Sequence, residues 1–504
     1  MRAAKKSIIS FHSIYKNIAV IFGLAVHPVF MYNIGMAISF YSLGAAQEVT
    51  GSKHILEVDG RAYLFDCGAF QGKRAEADKK NRDFNIPIER LEAVVLTHGH
   101  YDHCGLLPLL YKNGYTGNIY ATPATRDLAN LVLMDSAHIQ ARDREYLQKQ
   151  AAKQGKQFTW QPLFDESDVV ETINQFVTIS YHRQIFIGDG VMLEFYDAGH
   201  ILGSAMALVT AKDNSGKQVK IAFTGDVGRN DKAIIRDPEN LPAVDYLVLE
   251  STYGDRLHET KDNALEALAK ATNEICKTGG KIIIPAFAVE RTQEIVYHFH
   301  QLLDMKKIRE VPIYVDSPMA VNATSIFQIH PECYDEETHE AFIKHHQNPF
   351  GFNSLNFITS VNESKKLNSA SGPMVIISAD GMCEFGRITH HLANNIENKS
   401  TIIMLVGFMA ENTLGRRLQN REKSVKIFGN TFAVNAEILQ INAFSAHGDY
   451  QELTAWLKKN DNSNLKQIFM VHGEDKAQKA FRSYLAENDF RDVSIVKYSD
   501  KFEL

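Results

Sequence analysis

The sequence predicts an α/β protein in which sheet-rich segments flank a Rossmann-like layered segment. Three observations carry this. The chain has 504 residues, 45% hydrophobic and 23% charged, which is globular composition and too long for one ordinary domain. From residue 36 to about 255, short apolar β-type runs end directly in His, Asp or Glu. From 256 to 429 the pattern changes to strand then helix, repeated, the signature of parallel strands with crossover helices.

Taken in order, Arg2, Lys5, Lys6 and Lys16 precede an apolar run at 18–30 that Gly23 and His27-Pro28 interrupt. The run is too short and broken to cross a bilayer, and no small-residue cleavage site follows it. Residues 1–35 are therefore expected to be a dispensable extension, with no membrane partner, and Met31 or Met36 is a plausible start. The segment 36–255 predicts strands at 62–65, 93–97, 191–196, 221–224 and 246–249, and a solvated, charged helix at about 124–156. In 256–429, strands at 281–285, 311–315, 373–378 and 401–406 alternate with helices at 290–303, 320–329, 385–393 and 413–417. The tail, 430–504, returns to short strands and two helices. No GxGxxG or Walker sequence accompanies the layered segment, so a nucleotide cofactor is not indicated.

Charge and cysteine usage narrow the function. With 54 basic against 60 acidic residues the net charge is −6, which excludes nucleic-acid binding by bulk positive charge but not a local basic cleft. Five scattered cysteines without CxxC spacing fit a reducing cytosol, hence a cytoplasmic protein. The twenty histidines are the anomaly, because they cluster.

The main cluster is Thr97-His98-Gly99-His100-Tyr101-Asp102-His103, directly after the apolar Val94-Val95-Leu96. Three imidazoles and a carboxylate within six residues converge in a tight loop, and that ligand set suits zinc. One loop does not close two metal shells. Further candidates stand at other strand ends: His200 in Ala198-Gly199-His200, Asp226 in Thr224-Gly225-Asp226, and His472 after Ile468-Phe469-Met470-Val471.

The order Asp66, HxHxDH at 98–103, His200 and Asp226 resembles the metallo-β-lactamase fold. Glu250-Ser251-Thr252-Tyr253-Gly254, Ser445-Ala446-His447-Gly448-Asp449 and Val471-His472-Gly473-Glu474 resemble the additional motifs of the β-CASP ribonucleases. Pro285-Ala286-Phe287-Ala288, Asp316-Ser317-Pro318-Met319, Gly386-Arg387-Ile388 and Thr413-Leu414-Gly415-Arg416 extend the likeness across most of the chain. Glu290 departs from it, standing where many relatives have glycine, as do Phe408-Met409 and Asn412.

The resemblance implies an αββα metallo-β-lactamase sandwich (36–255 and 430–504) interrupted by an inserted Rossmann-like β-CASP domain (256–429). It also implies two Zn²⁺ per chain. His98, His100 and His200 would hold the first, Asp102, His103 and His472 the second, and Asp226 would bridge them. Two such dications can share a water, lower its pKa and brace both oxygens of an in-line displacement. Asp66 is expected to orient a ligand or the attacking water. By the same resemblance, Glu250 and His447 are expected to form a carboxylate–imidazole pair that protonates the leaving oxygen. Arg387 and Arg416, each beside a glycine at a predicted helix start, are candidates for phosphate contacts. The implied activity is hydrolysis of single-stranded RNA. The alternatives are a hydrolase of a small ester, thioester or lactam, which leaves Glu250, His447 and the inserted domain without a role, and a non-catalytic scaffold. Oligomeric state is left open, a homodimer included.

Overall fold

The computed structural model describes residues 38–504, apart from 259, 260, 345–347, 408, 410–412, 442 and 443. The expected extension at 1–35 and the departures at Phe408 and Asn412 lie outside the described residues.

Two seven-stranded sheets form a sandwich. The first runs Phe502–Glu503, Ser39–Gly44, Lys53–Val58, Arg61–Phe65, Leu91–Val95, Ile119–Ala121, Phe176–Thr178. The second runs Val493–Ile495, Gln467–Met470, Tyr246–Leu249, Gln218–Phe223, Ala205–Lys212, Val191–Asp197, Ile185–Gly188. Burial in Val191–Asp197 alternates strictly, so Val191, Leu193 and Phe195 enter the core between the sheets. Phe40, Phe65, Phe195, Phe223 and Phe469 fill that core, and the Phe65 and Phe223 rings stack at 3.7 Å between centroids. Each buried ring contributes about 1.5–3 kcal/mol.

Helices cover the outer faces. Tyr450–Lys459 and Asp475–Glu487 pack on the second sheet through Leu453, Trp456, Phe481 and Leu485. On the first sheet lies Pro123–Lys153, started by Thr122, whose hydroxyl accepts the Thr125 N–H, and by Pro123 at its first turn. Its first half buries Ala124, Leu128, Val132 and Leu133, and only its second half is the solvated element expected from its charge.

The inserted domain is a six-stranded, all-parallel sheet in the order Leu355–Phe357, Ile313–Val315, Met374–Ser378, Lys281–Pro285, Ile402–Val406, Glu437–Ile441. Lys281–Pro285 is buried on both faces, as a central parallel strand must be. The last strand lies beyond the expected boundary at 429. Glu437–Ile441 pairs with Ile402–Val406, so the inserted sheet closes only after the hairpin Ser424–Ile427/Asn430–Ala433. Its mixed sequence, Glu-Ile-Leu-Gln-Ile, carries no signal for which sheet it joins. Among the described residues no helix is long and apolar enough to cross a membrane.

Candidate metal centre

Every metal-ligand candidate lies at or just beyond the C-terminal end of a strand, on one edge of the sandwich. Asp66 follows Arg61–Phe65, and His98 to His103 follow Leu91–Val95. His200 follows Val191–Asp197, Asp226 follows Gln218–Phe223, Glu250 follows Tyr246–Leu249, and His472 follows Gln467–Met470. Backbone hydrogen bonds tie these loops together: Cys67 N–H to His103 O (2.8 Å), Ala205 N–H to Thr97 O (2.8 Å), Gly228 N–H to Ala198 O (2.8 Å), and Gly448 N–H to Val227 O (2.9 Å). Two glycines make the approach possible. A Cβ on Gly68 would collide with the Asp102 carbonyl, and one on Gly228 with the Gly199 carbonyl. Asp66 (φ 62°) and His472 (φ 50°) occupy the left-handed region, an uncommon conformation for residues with side chains.

The side chains converge in two groups of donors, His98, His100, His200 and Asp226 in one, and Asp102, His103 and His472 in the other. In the first, His100 Nδ1 lies 3.1 Å from His98 Nε2 and 3.2 Å from His200 Nε2. In the second, His103 Nε2 lies 3.1 Å from His472 Nε2, which is 3.6 Å from Asp102 Oδ2. Asp226 sits between the groups, its Oδ2 3.4 Å from His98 Nε2, 3.4 Å from His103 Nε2 and 3.5 Å from His200 Nε2. His98, His103, His200, His472, Asp66 and Asp226 are buried, whereas His100 and Asp102 remain partly open at the mouth.

These residues fit metal ions. Donors sharing a tetrahedral ion with bonds of about 2.0–2.1 Å stand roughly 3.3 Å apart, the spacing found here. Asp226 Oδ1 is buried with no hydrogen-bond partner, a costly position for a carboxylate unless a cation neutralises it. Burial, with the neighbouring histidines, pushes His98 and His200 well below the usual imidazole range, and burial takes His100 down to about 4. Neutral imidazole is the form that binds a metal. At His103 burial is outweighed by Asp226 and then Asp66, which raise it.

A second layer fixes the rings. Asp66 Oδ1 accepts the Thr97 N–H (2.8 Å), and its Oδ2 accepts from Thr97 Oγ1 (3.0 Å) and His103 Nδ1 (2.7 Å), leaving the His103 Nε2 lone pair directed at the centre. Thr97 Oγ1 also contacts His98 Nδ1 (3.1 Å), and Thr252 Oγ1 contacts His472 Nδ1 (3.0 Å). Thr97 and Thr252 carry no signal in the sequence, where threonines are common and the partner is unknown. His54 is also unannounced: its ring is buried beside the centre between Ser42 (2.8 Å) and Ser52 (3.1 Å), and burial takes it down to about 3.

Glu250 and His447 come from the two parts of the sandwich that the inserted domain separates in sequence, and they meet in space. His447 Nδ1 lies 3.1 and 3.2 Å from the two Glu250 oxygens and 3.8 Å from Asp226 Oδ2. Glu250 is aimed by the Val227 N–H, which donates to its Oε1 at 2.8 Å. Burial lowers His447, but Glu250 and then Asp226 outweigh it and raise the ring to about 9. A further group, His258, Asp449 and Glu452, is committed elsewhere: Asp449 caps helix Tyr450–Lys459 and accepts the His258 N–H, and Glu452 pairs with Arg229.

The two arginines expected to touch phosphate are placed differently. Arg387 is turned inward, its Nη1 donating to Asp316 Oδ1 (2.6 Å) and the Ile358 carbonyl (3.1 Å), and its Nη2 to the Thr359 carbonyl (2.5 Å). With three donations spent on the protein it braces the inserted domain. Arg416 is partly exposed in the short helix Leu414–Gln419.

Comparison with known proteins identifies what the chain is similar to. Residues 52–195 match the metallo-beta-lactamase superfamily, 292–418 the Beta-Casp domain, and 431–496 the Zn-dependent metallo-hydrolase RNA specificity domain. The chain is 34% identical over 465 residues to Ribonuclease TTHA0252 of Thermus thermophilus, covering 91% of this chain and 98% of that protein. It is 30% identical over 450 residues to the transcription termination factor FttA of Methanosarcina mazei, covering 86% of this chain and 67% of that one. The FttA of Methanocaldococcus jannaschii is 31% identical over 444 residues, with 86% and 66% covered, so the chain spans about two thirds of these factors. A crystal structure of a protein of unknown function from Enterococcus faecalis shares the fold, with a TM-score of 0.52, 11% identity, and 93% of this chain and 100% of that one covered.

Proposed function

The chain belongs to the metallo-β-lactamase superfamily and to its β-CASP branch, and from that premise we propose that it is a cytoplasmic, zinc-dependent ribonuclease cleaving internal phosphodiester bonds of single-stranded RNA. The observation that carries this reading is the union, at the junction of sandwich and inserted domain, of seven metal donors with the Glu250–His447 pair. Five neutral imidazoles and two carboxylates leave a pair of dications with net positive charge, which suits an anionic phosphodiester rather than a neutral lactam.

His98, His100 and His200 would hold one Zn²⁺, Asp102, His103 and His472 the other, with Asp226 shared. Once bound, the ions supply Lewis acidity and a water of lowered pKa. Protein groups do the rest. Asp66 keeps His103 in one tautomer and one orientation. His447, hydrogen-bonded to Glu250, holds a proton at physiological pH and delivers it from Nε2 to the 3′-oxygen as the P–O bond breaks. Glu250 fixes the ring and favours its charged form.

The decisive assay gives the purified protein two substrates in parallel, an end-labelled oligoribonucleotide and a chromogenic β-lactam. Internal RNA fragments that disappear with chelator support the assignment. Lactam turnover without RNA cleavage would establish the small-molecule reading instead.

A further inference from the structure

We propose that Lys232 and Glu290 form a positioning strut through which the inserted domain sets the His200 end of the metal centre. The inference rests on the metal-centre reading above. Lys232 Nζ donates to the His200 carbonyl at 2.7 Å and to Glu290 Oε1 at 2.8 Å. Both side chains are buried, 3% and 4% exposed. Lys232 belongs to the segment that follows Asp226, so one ammonium ties together the loops of two ligands and the inserted domain.

Glu290 is built into this contact at a conformational cost. Its φ is 68°, in the left-handed region, and it stands at the N-terminus of helix Arg291–Asp304 without capping it. The side chain turns instead toward the sandwich. Glycine adopts such a backbone without this cost, so a side chain here is held at the expense of local strain. Glu290 Oε2 has no hydrogen-bond partner, so the pair is not optimised as a stabilising contact. The adjacent charges, Arg291 and Glu294, pair with each other, and both also act electrostatically on the Lys232–Glu290 pair. A buried ion pair is commonly no more stabilising than a well-packed apolar pair of similar volume. What an apolar pair does not supply is a donor to the His200 carbonyl. Groups that orient a ligand in this way typically change metal affinity 10- to 100-fold when lost.

The test uses the full chain stripped of metal and titrated with Co²⁺, followed by its visible spectrum, with melting and RNA cleavage measured alongside. The Lys232→Met/Glu290→Met double variant removes both charges without stranding either. It is expected to melt near the parent, to bind one of its two Co²⁺ ions at least 10-fold more weakly with an altered spectrum, and to lose kcat more than KM. Lys232→Arg, which keeps a donor, is expected to restore the parental titration. A double variant with the parental titration and spectrum would overturn the strut. So would one that melts far below the parent, because the pair would then be a stabilising contact. Because the titration needs no substrate, its outcome is independent of whether the parent cleaves RNA.

Discussion

Asp226 is the residue on which the two donor groups depend, since its Oδ2 lies within 3.5 Å of His98, His103 and His200. Asp226→Ala should leave two dications facing each other without a shared carboxylate, and metal analysis of the purified variant should find less than one zinc per chain. Full occupancy with normal cleavage would remove the bridging assignment. His447 has the opposite profile, because its Nδ1 is engaged by Glu250. His447→Ala should keep its zinc and lose roughly 10²- to 10⁴-fold in rate, the range for a missing general acid. Loss of a zinc ion would make it a ligand instead. At this scale the histidines and aspartates were legible because HxHxDH has few bland explanations and because His200, Asp226 and His472 sit at apolar strand ends. Lys232, Thr97 and Thr252 were not, since a donor becomes meaningful only when its acceptor is known. The Arg387–Asp316 contact was hidden for a related reason: Gly-Arg at a helix start reads alike whether it faces a phosphate or Asp316.

The strand-end turns are the elements that do the positioning, and the one carrying His200 contains a buried acid. Burial raises Asp197 to about 7, Glu239 adds to the shift, and the Gly199 N–H, donating at 2.9 Å, opposes it. In the unfolded chain this carboxyl ionises near 3.8, in the folded one near 7. Folding therefore takes up a proton between those values, and stability falls as pH rises until the cost is complete above about 7. Asp197→Asn should melt several degrees above the parent at pH 8, on the order of 2–4 kcal/mol, with the gap closing below pH 4. An equal gap at both pH values would point to packing rather than ionisation. Most elements were readable: Tyr246–Leu249 and Lys281–Pro285 lie where apolar runs put them, and others shift by one to three residues at their ends. Glu437–Ile441 escaped because the choice between two sheets is made by tertiary pairing, which five residues of mixed polarity do not encode.

The whole molecule is a sandwich whose ligand set is complete only when distant segments meet. His98 and His472 stand hundreds of positions apart in sequence, with the inserted sheet between Glu250 and His447. That separation was itself legible, since paired motifs flanking a strand–helix repeat imply one domain interrupted by another. Metal binding to such a set must stabilise the fold by mass action, by about 2.7 kcal/mol at a hundredfold excess over Kd. Zinc added to stripped protein should therefore raise the melting temperature, and chelator should lower it. The most direct test of the central claim is RNA cleavage measured as zinc is titrated into stripped protein. No cleavage is expected without metal, and full activity only as the second equivalent binds. Full cleavage by metal-free protein, or saturation at one equivalent, would contradict that claim.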